Sequence, residues 1–107
     1  MSANKQITVQ FPIFEYTLKV IFARDIVMTG RRLKEDLSNA DGAFVTKDAQ
    51  PFRGWIILGL IPSPGTIAHE SSHAVWHMFK SAGVEFEDET FAYHLDFLVR
   101  RIHGACK

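Results

Sequence analysis

Within the stretch Gly65-Thr66-Ile67-Ala68-His69-Glu70-Ser71-Ser72-His73 the chain holds residues that can do chemistry together. His69 and His73 are four positions apart. On a helix that spacing puts both on one face, one turn apart, so their ring nitrogens can converge on one point. Two neutral imidazoles so placed suit a zinc ion. Glu70 follows the first histidine by one position and is rotated about 100° from it. It is therefore better placed to take a proton from a water at the metal than to bind the metal itself. The pattern is H-E-x-x-H, which fixes only three residues and needs a helix to have meaning.

The flanking residues provide that helix. Ser63 is a natural N-cap and Pro64 suits the first helical position, where no N–H is required. Ile67, Val75, Met78, Phe79 and Ala82 form a broad apolar face, and Gly83 fits the left-handed position after a helix C-terminus. His77 continues the histidine stripe and is expected to flank the site or to be exposed.

A catalytic zinc takes three protein ligands. An H-E-x-x-H-x-x-G-x-x-H site is excluded, because Trp76 and Phe79 stand where Gly and His are required. The remaining route is a carboxylate from the next helix. Glu85, Glu87, Asp88 and Glu89 are candidates, with His94 less favoured. Glu89 is preferred because Tyr93, Asp96 and Arg100 continue its face, adding a hydrogen-bond donor and supporting charges. Asp88 is the main rival; otherwise it serves as the N-cap. The Glu89 face lies opposite Phe91, Leu95, Leu98 and Ile102, so this helix would have to be covered on two sides.

The elements that must position these groups are readable in outline. Ile7–Phe11 alternates apolar and polar residues as a half-buried strand does, but Pro12 makes it an edge or ends it early. Tyr16–Phe22 alternates more clearly. Asp25 caps a surface helix running toward Leu37, weakened by Gly30. Residues 38–42 form a loop with an Asp-Gly turn signal. Ala43–Thr46 is a short strand. Gly54–Ile61 is apolar throughout, as in a strand covered on both faces. The last helix runs to about Ile102, with Arg100, Arg101 and His103 in its final turn.

Composition narrows the class. The 107 residues suffice for one compact domain. Lys plus Arg and Asp plus Glu are both 12, so the chain has no strong electrostatic attraction to nucleic acid or anionic membranes. The single cysteine, Cys106, excludes an intramolecular disulfide and a four-cysteine zinc site. The N-terminus lacks the apolar core of a signal peptide and no run is long enough to span a membrane, so the expected location is cytoplasmic.

Two segments then carry a resemblance. Pro64-Gly65-Thr66-Ile67-Ala68-His69-Glu70 and Asp88-Glu89-Thr90-Phe91-Ala92-Tyr93 resemble small zincin-like proteins of phages and prophages. His69-Glu70-x-x-His73 followed by Glu89-x-x-Ala92-Tyr93 resembles the gluzincin arrangement, in which a downstream helix gives Glu as third ligand. The resemblance implies an α+β fold over residues 1–107. Its parts would be a small mixed sheet of about three strands, one packing helix and two metal-bearing helices.

It further implies a phage- or prophage-encoded zinc metallopeptidase of the bacterial cytoplasm. Zinc would sit on His69, His73 and Glu89, Glu70 would be the general base, and the substrate would be a peptide or protein. Many gluzincins carry Asp four residues after the ligand Glu, where this chain has Tyr93. Either Tyr93 polarises a carbonyl or stabilises an oxyanion, or Asp96 supplies the supporting carboxylate. The alternative is a zinc-binding interaction protein without useful turnover, meeting a host or phage partner. Trp55–Ile61 and Trp76 would then serve the interface or a homo-oligomer.

Overall fold

The computed structural model describes residues 5–38 and 40–106. Residues 1–4, Asn39 and Lys107 lie outside the described residues, and with them parts of the N-terminus and of the 38–42 loop read above.

The fold is α+β, with four strands where about three were expected. The strands are β1 (Lys5–Phe11), β2 (Tyr16–Ala23), β3 (Gly42–Lys47) and β4 (Gln50–Gly59). Pro12 does not shorten β1. It falls just past Phe11 and opens a 3₁₀ turn, Pro12–Phe14, where its missing N–H is harmless. Glu15 then takes a left-handed φ of 52° and reverses the chain. The result is an antiparallel pair in register from Lys5↔Phe22 to Phe11↔Tyr16.

The sheet order is β1-β2-β4-β3. β2 and β4 run parallel and β3 returns antiparallel to β4. The two inner strands are thus β2 and β4, which explains the apolar run up to Leu58; the expected strand Gly54–Ile61 ends at Gly59, and Leu60 and Ile61 are exposed. Ile56, Ile57 and Leu58 are all buried, on alternate faces.

One face of the sheet carries the main core. Val9, Phe11, Tyr16, Leu18, Val20, Phe22, Ile56 and Leu58 pack with Ile67, Ala74, Val75, Met78 and Phe79 of α2 (Pro64–Ala82) and with Leu98 and Ile102 of α3 (Asp88–Ala105). Each Val, Leu, Ile, Phe or Met side chain among them contributes about 1.5–3 kcal/mol when fully buried. The opposite face is smaller: Ala23, Val45 and Ile57 meet Ile26, Leu33 and Leu37.

The helix over that smaller face, α1 (Ile26–Arg32), is shorter than its periodicity suggested. Asp25 caps it as expected, accepting from Met28 N at 3.1 Å. It ends before Lys34, which has a φ of 63°. Leu37 folds back over Gly30 rather than extending the helix. A Cβ on Gly30 would lie 2.7 Å from Leu37 Cδ1, so this glycine permits a close approach that a larger residue would prevent.

The two long helices start and stop at local signals. Ser63 caps α2 through Thr66 N at 3.1 Å, and Gly83 closes it in the left-handed conformation with a φ of 69°. For α3 the cap is Glu87, not Asp88. Its carboxylate accepts from Thr90 N at 2.8 Å and Glu89 N at 3.2 Å. The hydrogen bonds from Thr90, side chain first, and from Glu89 hold the Glu87 carboxyl below its ordinary pKa.

Candidate metal centre

Helix α2 lies on the sheet through its Ile67–Phe79 face, which turns His69 and His73 toward solvent. Their rings are 4.8 Å apart, centroid to centroid, at 81°. Glu70 is only 7% exposed, rotated from the histidines toward the body of the protein. One donor atom from each of His69, Glu70 and His73 lies within 4.8 Å of the others. Among the described residues this is the group of three or more His, Cys, Asp and Glu side chains close enough to share an ion.

The fit to zinc rests on the donor set. The two imidazoles are zinc donors, normally at about 2.0–2.1 Å, and the Glu70 carboxylate beside them is placed to meet a water on such an ion. Separations of up to 4.8 Å close to that geometry by rotation about χ angles, which two exposed histidines can do without disturbing the core.

Beside this group the surface dips. Asp41, Gly42, Ser63, Thr66, His69 and Glu70 border the depression. Gly42 shapes it, because a Cβ there would come within 2.9 Å of Thr66 Cγ2 and 3.2 Å of the Ile57 carbonyl oxygen. The start of β3 can therefore close against the first turn of α2. No short-range pattern in the sequence marks Asp41 and Gly42 as neighbours of the histidine motif.

The expected third ligand is not brought to the pair. The chain links α2 to α3 through residues 83–87, so the helices run back antiparallel. Phe91 meets Phe79 and Trp76, with ring centroids 5.7 and 6.4 Å apart. Glu89 precedes Phe91 and is level with the last turn of α2. His73 lies six positions before Phe79, about 9 Å back along the axis at ~1.5 Å per residue. Glu89 and Asp88 are exposed at the start of α3, outside the group of three.

Tyr93 is likewise apart. It is 77% exposed and borders a groove formed with the Gln10–Phe14 segment, His94 and Phe97, none of which belongs to the histidine group. Asp96 is paired with Arg100 at 2.9 Å on the exposed face of α3.

His77 departs from expectation in the other direction. It is half-buried against the sheet, its Nδ1 2.7 Å from Tyr16 Oη and its ring 5.6 Å from that of Phe44. Burial, with a smaller effect from Lys80, lowers its pKa. Burial raises that of Tyr16. Ser71, inside the H-E-x-x-H gap, is fully buried, and its Oγ has no hydrogen-bond partner among the described residues.

No protein-family model matches the chain, and no curated protein or solved structure does. Among the described residues no helix is long and apolar enough to cross a membrane.

Proposed function

We propose that the chain is a zinc-dependent hydrolase of peptide bonds, with His69 and His73 as metal ligands and Glu70 as general base. The observation that carries this reading is the juxtaposition of two exposed histidines with a sheltered carboxylate, all within 4.8 Å. A zinc ion on the two histidines would supply Lewis acidity toward water and toward a scissile carbonyl. Glu70 takes a proton from the attacking water and returns it to the leaving amine. Among the described residues β3 is an edge strand, and its outer backbone groups can align an extended substrate.

A second reading follows from the position of Glu89 and Tyr93. With only two histidines and Glu70 in reach, the group also suits a zinc-binding interaction protein with no useful turnover. This would fit the phage or prophage setting that the sequence resembles.

Glu70→Gln separates the two. The amide still hydrogen-bonds water but accepts no proton at neutral pH. Cleavage of a peptide library should fall about 10²–10⁴-fold while zinc affinity stays within a few-fold. Equal cleavage by both proteins, or none by either at full zinc loading, would reject the peptidase.

A further inference from the structure

We propose that two copies of this chain share one zinc ion through His69 and His73 of each, and that this bridged pair is a latent form of the site which excess zinc opens. The inference rests on the reading of the two histidines as zinc ligands and needs no turnover.

One copy brings fewer ligands to the ion than zinc takes. Zinc is four-coordinate, and even a catalytic site fills three positions from protein. Among the described residues His69, Glu70 and His73 are the group close enough to share an ion, and Glu70 is buried while both histidines are exposed. Asp88 and Glu89, the expected third ligands, lie outside that group at the start of α3. What one copy presents outward is therefore a pair of imidazoles. Two such pairs complete a tetrahedron of four nitrogens.

The charges suit a shared ion. Zinc on four neutral imidazoles keeps both its positive charges. Each copy holds one Glu70 beside its histidines, with a carboxylate oxygen within 4.8 Å of their donor atoms, so two copies supply the balancing pair of negative charges. No Lys or Arg occurs between Ser63 and Trp76, and the formal net charge of the chain is zero, so two copies meet without long-range repulsion.

The surface around the histidines admits a second helix. Gly65, Ala68, His69, His73 and Trp76 are all exposed on α2. Apart from its own helix backbone, a Cβ on Gly65 would meet only Ser63 Oγ, at 3.9 Å, so the first turn stands open. In an antiparallel crossing, a two-fold axis midway between His69 and His73 sets Trp76 of one copy opposite Thr66 of the other. Trp76 stays 47% exposed although Phe86 and Phe91 pack against it. One indole on each side falls far short of the ~800 Å² per partner of a stable interface. The ion, and not the apolar contact, must hold the pair.

A site closed by four imidazoles leaves no position for water, unlike a catalytic one. The bridged pair is therefore silent toward hydrolysis. Scarce zinc favours sharing, and mass action separates the copies once each can load its own ion.

The test is a zinc titration of the metal-free full chain at micromolar concentration, followed by sedimentation equilibrium. The chain should be monomeric without zinc, reach its highest dimer fraction at half an ion per chain, and return to monomer in excess zinc. Cobalt(II) used instead should give an intense tetrahedral absorption at half an ion per chain, falling as more is added. His69→Ala and His73→Ala should each abolish the dimer. Trp76→Ala should lower the dimer fraction with the circular dichroism spectrum unchanged, and should still take one ion per chain in excess zinc. A monomer at every zinc ratio, a dimer that persists without zinc or in its excess, or a dimer of the double histidine variant would overturn the proposal. Peptide cleavage by a chain that is monomeric throughout would overturn the bridge and keep the peptidase. A zinc-dependent dimer whose fully loaded monomer cleaves nothing would keep the bridge and reject the peptidase.

Discussion

Tyr16 Oη lies 2.7 Å from His77 Nδ1, joining the first residue of β2 to the fourth turn of the histidine-bearing helix. The contact is enclosed by Phe44 and by the bare backbone of Gly54, where a Cβ would stand 2.5 Å from the Tyr16 hydroxyl. It draws His77 against the sheet, whereas His69 and His73, earlier on the same stripe, are exposed.

The first prediction concerns this pair and pH. Burial lowers the His77 pKa in the folded protein. Between the folded value and the unfolded value near 6.5, the unfolded chain binds more protons, so stability falls as pH falls through that window and is unaffected above it. Tyr16→Phe leaves His77 without its partner and should cost about 1 kcal/mol at pH 7.5. His77→Gln should flatten the decline in melting temperature between pH 7 and 5. An undiminished decline would mean that other groups cause it.

Zinc affinity should depend on the two histidines equally. His69→Ala and His73→Ala should each remove most binding in isothermal titration. Binding to wild type should weaken as pH falls through the imidazole range, because the ligands must lose their protons. Tight binding in the double variant would place the ion elsewhere.

Glu89 and Glu87 should behave oppositely. Glu89 stands about two turns from the histidine pair, so Glu89→Ala should change zinc affinity less than twofold. Glu87 caps α3 through Thr90 and Glu89, so Glu87→Ala should lower the urea midpoint and leave zinc untouched. A large loss of zinc affinity in Glu89→Ala would show that the start of α3 moves onto the metal when it binds.

Ser71 supplies a stability prediction of unusual sign. Its Oγ is buried and unpartnered, and such a group costs about 1–3 kcal/mol of desolvation. Ser71→Ala should therefore be neutral or raise the urea midpoint. A clear loss of stability would mean that the hydroxyl is hydrogen-bonded in solution.

What the sequence determined by itself is local. The boundaries of α2 follow from Ser63, Pro64 and Gly83, each acting on backbone groups within one turn. The juxtaposition of His69 and His73 follows from a spacing of four on any helix. The start of α1 follows from Asp25, and the two-sided burial of residues 54–58 from their unbroken apolar character. Tertiary structure decided the rest, because it depends on which distant segments pack together. The parallel pairing of β2 with β4 makes a four-stranded sheet and puts Tyr16 under His77, 61 residues away. Gly42 reaches Thr66 only because β3 begins beside the first turn of α2. Glu89 and Tyr93 carry side chains suited to a zinc site, yet the antiparallel return of α3 sets Glu89 level with the far end of α2 and Tyr93 over a separate groove. Helical periodicity says which residues share a face. It carries no information on how far one helix has slid along another, and that displacement is set by the Phe79, Trp76 and Phe91 contacts between them.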